Sequence, residues 1–112
     1  MAQNFKRLGA INPSGNTQTN VYVVPASTEA VISTIAICNQ SAANVSYSLI
    51  VMPPGSFNAS AAAADFVVRG AVVPAADSII LTIGLTANAG TVIAANTNNP
   101  NVSFSIFGSE IS

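Results

Sequence analysis

Acid–base, nucleophilic or metal chemistry in this chain would have to come from four carboxylates, three cations and one thiol, because histidine is absent. The carboxylates are Glu29, Asp65, Asp77 and Glu110. A suitably spaced pair could cleave a glycoside, and several could join backbone carbonyls around calcium. Each stands at the start or end of an expected strand, where acids commonly serve as turn or cap residues. No Asp-x-Asp cluster is present. Cys38 closes the apolar run Ile35-Ala36-Ile37-Cys38. A catalytic thiol needs a cationic neighbour, and none is close in sequence, so Cys38 reads as a small buried hydrophobe. As the single cysteine it forms no intrachain disulfide. Catalytic triads and most zinc sites need histidine. Neither a Gly-x-Gly-x-x-Gly nor a Walker phosphate loop occurs. The expectation is a protein that is not an enzyme and uses neither cofactor nor metal.

What remains is packing and uncharged hydrogen bonding. Charged residues make up 6% of the chain, against roughly 25% in an ordinary soluble domain. Half the residues are apolar, but much of that is alanine, so the core has to come from Val, Ile, Leu, Phe and Tyr. The length of 112 residues suits one domain over 1–112. A net charge of −1 with this hydrophobicity argues against disorder. Lys6, Arg7 and Arg69 are too few for a phosphate-binding face, so no nucleic-acid partner is expected. No apolar run nears the roughly 20 residues of a membrane span, so no membrane partner is expected. The opening Met1–Gly9 lacks the apolar stretch of a secretory signal, and synthesis in a cytoplasm is expected. Near-neutral chains tend to associate. Association with copies of the chain itself is therefore expected, with a lone soluble monomer as the alternative.

The elements that must position these residues read as strands. Segments of strand character are Asn4–Leu8, Asn20–Val24, Val31–Asn39, Val45–Met52, Asp65–Val73, Ser78–Leu85, Thr91–Ala95 and the stretch holding Val102, Phe104 and Ile106. Val45, Tyr47, Leu49 and Val51 share one face, as do Ile79, Leu81, Ile83 and Leu85, which is the period of a half-buried strand. Val31–Asn39 is apolar on both faces and should be central. Gly70 marks a bulge or a close backbone approach. Ala61–Ala64 suits a short helical turn or an Ala-rich loop. The connections are too short for helical crossovers, so pairing should be antiparallel. An all-β fold follows: an antiparallel β-sandwich of seven to eight strands, jelly-roll or immunoglobulin-like in topology.

Two segments lie outside the clean alternation and are the expected contact surfaces. One is residues 1–19, with Phe5, Lys6 and Arg7. The other is the loop from Pro53 to Ala64, with Phe57 as the aromatic residue in a loop. Phe57 could fold over its own core, anchor a partner or face a ligand. A sugar site would want an aromatic platform, and tryptophan is absent.

Four segments carry a resemblance. They are Asn4-Phe5-Lys6-Arg7-Leu8-Gly9, Val21-Tyr22-Val23-Val24-Pro25-Ala26, Ile37-Cys38-Asn39 and Phe104-Ser105-Ile106-Phe107-Gly108-Ser109-Glu110-Ile111. In these the chain resembles small virion-associated structural proteins of tailed bacteriophages, notably phages of marine bacteria and cyanobacteria. The segments span the chain, and none is a chemical motif, so no site residues carry over. Met52–Ala64 is more Ala-rich than is usual in that group. The resemblance implies a particle component of the head, tail or baseplate. The first expectation is a capsid decoration, or cement, protein in the virion. It would bind copies of itself, as a trimer or another symmetric cluster, and the major capsid protein or another virion protein. The alternative is a tail or baseplate module that binds a host-surface glycan or receptor.

Overall fold

The computed structural model describes residues 3–55 and 61–111, with the backbone alone for 3–5. Its strands are β1 (Gln3–Ile11), β2 (Thr19–Val23), β3 (Glu29–Asn39), β4 (Val45–Met52), β5 (Phe66–Val73), β6 (Ser78–Ala87), β7 (Val92–Thr97) and β8 (Val102–Ile111). A short 3-10 turn, Ala63–Asp65, precedes β5 where the alanine run suggested one. The strands form two four-stranded sheets, ordered β1-β8-β3-β6 and β2-β7-β4-β5. Every pairing is antiparallel.

The order has a simple origin. β4 pairs with β5, β3 with β6, β2 with β7 and β1 with β8, as in one long hairpin. Rolling that hairpin over adds β3–β8 and β4–β7. This is the jelly roll, one of the two topologies expected. The immunoglobulin-like alternative is excluded, since it would set β1 beside β2 in one sheet. Here they lie in different sheets. As expected, β3 is central.

One apolar core fills the space between the sheets. Ile32, Ile35, Ile37, Val102, Phe104 and Ile106 face Tyr22, Val45, Tyr47, Leu49, Val73 and Ile93. Tyr47 meets Phe104 edge to face across the sandwich, with centroids 6.2 Å apart. Burying a side chain of this class is worth about 1.5–3 kcal/mol.

Cys38 departs from its expected place. In the alternation of β3 it falls opposite to Ile35 and Ile37, so it is half-buried on the outer face. Strand β4 also holds more than its alternation suggested. Ile50 and Met52 point away from the sandwich yet are fully buried, in a second cluster with Val92 and Ala94. Ala61, in the connection after Met52, and Phe66, the first residue of β5, pack on that cluster. Gln18 ties it down, accepting from the Ala61 N–H at 3.2 Å. The described end of the loop expected to face a partner thus covers its own sheet.

Sheet β1-β8-β3-β6 is bulged along one line. Its register shifts between Arg7 and Gly9 on β1 and between Ile32 and Thr34 on β3. Across that line β8 runs through Gly108, where backbone crowds backbone. A Cβ on Gly108 would lie 2.0 Å from the Val31 carbonyl oxygen. One on Gly9 would lie 2.5 Å from the Val21 oxygen, at the corner where β1 closes against β2.

Candidate interaction surface

The expected contact residues are split by the fold. The backbone of Phe5 pairs with Ser109 in β1–β8, and Phe57 lies outside the described residues. Lys6 and Arg7 are neighbours on a strand and so point to opposite faces. Lys6 forms an ion pair with Glu110, Nζ to Oε1, at 3.0 Å. Arg7 pairs with Phe107 across β1–β8 and shares its outer face. Residues 3–11, expected as part of a contact segment, are an edge strand of the sandwich itself.

Three of the four carboxylates are placed as caps and ties, and Glu29 is exposed at the start of β3. Asp65 accepts from the Ala62 N–H at 2.9 Å, closing the 3-10 turn. Asp77 accepts from the Ser78 N–H at 2.8 Å. Glu110 accepts a short hydrogen bond from the Tyr22 hydroxyl as well as pairing with Lys6. This trio links one sheet to the other at the β1/β2 side. The Tyr22 hydroxyl, then Lys6, hold the Glu110 carboxyl below its usual range. Burial, reinforced by the Glu110 carboxylate, pushes the Tyr22 phenol well up. Burial alone raises Tyr47. Among the described residues no three of Cys, Asp and Glu come together as metal ligands.

Asn39 is the polar hub of the opposite end. It is fully buried, and its Nδ2 reaches the carbonyls of Ala43, Val73 and Pro74 at 2.8, 3.1 and 3.0 Å. Its Oδ1 accepts from the N–H and hydroxyl of Ser41. An amide has two hydrogens, so one of them is shared between carbonyls. These bonds pin the β3–β4 turn and the β5–β6 turn to the end of β3.

The surface itself is uneven. The outer face of sheet β1-β8-β3-β6 carries Ala36, Cys38, Ser78, Thr82, Ser103 and Ser105, all small and uncharged. Ile80 and Phe107 stand up from it, 67% and 38% exposed. On the other sheet Val67 and Val72 of β5 are about half exposed. None of these four was singled out from sequence. Ile80 had a signal: it is the one large apolar residue on the polar face of its strand, among Ser78, Thr82, Gly84 and Thr86.

The four free edges differ as well. β1 carries Lys6 and Arg7 and a bulge. β2 has five residues and a register shift, with Pro25 soon after. β5 has two register shifts, Arg69 stacked on Phe66, and Pro74 after it. β6 runs for ten residues with no charge and no proline, and its register to β3 is unbroken from Ser78 to Thr82.

Asn16, Ser46, Ser48, Asn96 and Asn98 line a shallow depression of about 180 Å3 on the outside of the other sheet. Its floor includes Tyr47, whose ring is buried in the core, so the depression offers no ring for a sugar to stack on. Compared with protein-family models and with curated proteins, the chain matches none.

Proposed function

We propose that this chain is a structural component of a bacteriophage virion, a capsid decoration protein. It clamps the shell from outside through contacts with copies of itself and with the major capsid protein. The observation that carries the reading is the middle of the outer face across β8, β3 and β6: small uncharged side chains, with Ile80 and Phe107 protruding and Arg7 beside Phe107 at the β1 edge. Such a face packs against a neighbour without stripping water from ion pairs, a step that costs several kcal/mol per ion. The sequence resemblance to phage virion proteins supplies the setting. The jelly roll, which recurs in viral capsid domains, supports it by analogy of fold. Stable contacts bury roughly 1,200–2,000 Å², and several weak ones per subunit would hold a shell by avidity.

Gel densitometry of purified particles tests the reading. A decoration protein is expected in copies proportional to the capsid protein. A few copies per particle would overturn it and turn attention to a tail or baseplate module.

A further inference from the structure

We infer that β6 is a self-recognition edge: two copies of this chain pair antiparallel through Ser78–Thr82, about a two-fold axis at Ile80. This deepens the self-association half of the proposed function and rests on that half; it does not need the particle.

The direction of the backbone groups comes first. Asn39 donates its N–H to the Asp77 carbonyl at 2.9 Å. From there the β3–β6 register runs without a break through Cys38↔Ser78, Ile37↔Ile79, Ala36↔Ile80, Ile35↔Leu81 and Thr34↔Thr82. In an antiparallel pair, hydrogen-bonded and non-hydrogen-bonded positions alternate. Asp77, Ile79 and Leu81 therefore aim their N–H and C=O groups at β3. Ser78, Ile80 and Thr82 aim theirs at the free edge. The far side of β3 agrees: Gln40 donates to the Asn101 carbonyl at 2.8 Å, so the even-numbered residues of β3 bond β8 and the odd ones bond β6.

A two-fold axis at Ile80 uses all three outward positions. Ile80 exchanges two hydrogen bonds with Ile80 of the second copy. Ser78 and Thr82 exchange two more in each direction, about six in all. The side chains agree with the backbone. Ile79 meets Leu81 on the inner side, continuing the half-exposed apolar row there. The two exposed Ile80 side chains meet on the outer side.

Charge decides between a second copy and another occupant. Pairing a strand with itself sets residues opposite near-identical ones, so any charge at the axis meets its like. The paired residues Ser78–Thr82 have none. The nearest, Asp77, would stand roughly 20 Å from its own copy, six residues along the strand. The remaining edges are short, bulged or charged, as edges that avoid pairing are. The register break between Thr82 and Leu85 ends the pairing on its own side. The contact is isologous and closes at two copies without propagating. A trimer would need a different, heterologous surface.

The test is cross-linking by register. In a hydrogen-bonded antiparallel pair, facing Cα atoms are about 5.5 Å apart, inside the 4.4–6.8 Å range of disulfides. On a Cys38→Ser background, Ile80→Cys is expected to form a covalent dimer under mild oxidation. Ser78→Cys and Thr82→Cys singly would sit about 13 Å from their own copies and should not link, whereas the double variant should. Val72→Cys, exposed on β5, measures random collision. Ile80→Asp should weaken the dimer by about 100-fold or more in light scattering, by placing two carboxylates on the axis. Linking of Ile80→Cys no faster than Val72→Cys, undiminished association of Ile80→Asp, or a strictly monomeric wild-type chain near millimolar would each overturn the pairing. A monomer found in high copy on particles would remove this inference and leave the decoration reading standing.

Discussion

The two edges of sheet β1-β8-β3-β6 are built on opposite plans. At β1 the sandwich is shut. Gly9 and Gly108 let backbone approach backbone, and Tyr22, Glu110 and Lys6 bridge the two sheets. At β6 the sandwich is left ajar. The inward residues Ile79, Leu81, Ile83 and Leu85 are only half-buried, and Ile80 is largely exposed. The closed side joins its strands by contacts that leave no slack. The open side is pinned at its end by Asn39 and keeps apolar surface in reserve. The contrast teaches that one small sheet can give one edge to stability and the other to association.

The largest effect should come from forcing the closed side. Gly108→Ala places a methyl group 2.0 Å from the Val31 carbonyl oxygen, and the obstacle is backbone, which cannot swing aside. Overpacking of this kind usually costs 1–3 kcal/mol, and this site should reach about 3 kcal/mol or more, read as a lower urea midpoint at unchanged slope. Gly84 on β6 is the control. A Cβ there meets nothing within 4 Å, so Gly84→Ala should stay near wild type. Equal losses at the two glycines would erase the distinction between the edges.

An intermediate effect should follow from loosening the bridge. Tyr22→Phe removes a hydrogen bond to a carboxylate and should cost about 1.5–3 kcal/mol at neutral pH. Its signature is the pH profile. Glu110 is depressed below its ordinary 4.5 in the folded chain. Its contribution is therefore full above that value and drains as pH falls through the folded pKa. Tyr22 is raised above its ordinary 10.0. Its contribution is full below pH 10 and is lost as pH climbs towards the folded value. Stability measured from acid to alkali should fall at both ends in the wild type and fall less steeply at both in Tyr22→Phe, where Lys6 still lowers Glu110 and buried Tyr47 still titrates high. A parallel offset with no change of shape would mean that the bridge does not tie the sheets.

How far the sequence foretold this contrast depends on the range of the cause. The alternation of Val45, Tyr47 and Leu49 is local, and the sandwich face of β4 follows from it. Gly70 is a local signal too, and the register of β4–β5 shifts between Tyr47 and Leu49, where β5 carries that glycine. Ile50 and Met52 are buried by a connection that returns from further along the chain, and no pattern within β4 announces it. The strand order is likewise non-local, so local patterns do not separate the jelly roll from the immunoglobulin-like sandwich. The same limit governs the surface. Lys6 and Arg7 stand out in the sequence as rare charges, but only the Glu110 pairing reveals that one of them is occupied within the fold. Ile80 was visible as an apolar residue on a polar face, yet its meaning depends on β6 being an edge, which the sequence does not state.

The smallest expected change is the most discriminating. Ile80→Thr replaces an exposed residue by another with high strand preference. Because Ile80 is 67% exposed, it leaves the core of its own copy untouched. Folding stability at concentrations where copies are apart should stay within about 0.5 kcal/mol of wild type. Association should weaken, because the axis loses its apolar contact. Dilution matters here, since any dimer that binds only folded chains adds apparent stability by mass action. Denaturation should therefore be run across a concentration series, with the wild-type midpoint rising with concentration and that of Ile80→Thr lagging behind it. A loss above 1 kcal/mol in the dilute limit would show that Ile80 is packed by its own chain. The open edge would then be part of the fold's support, and the division of labour between β1 and β6 would fail.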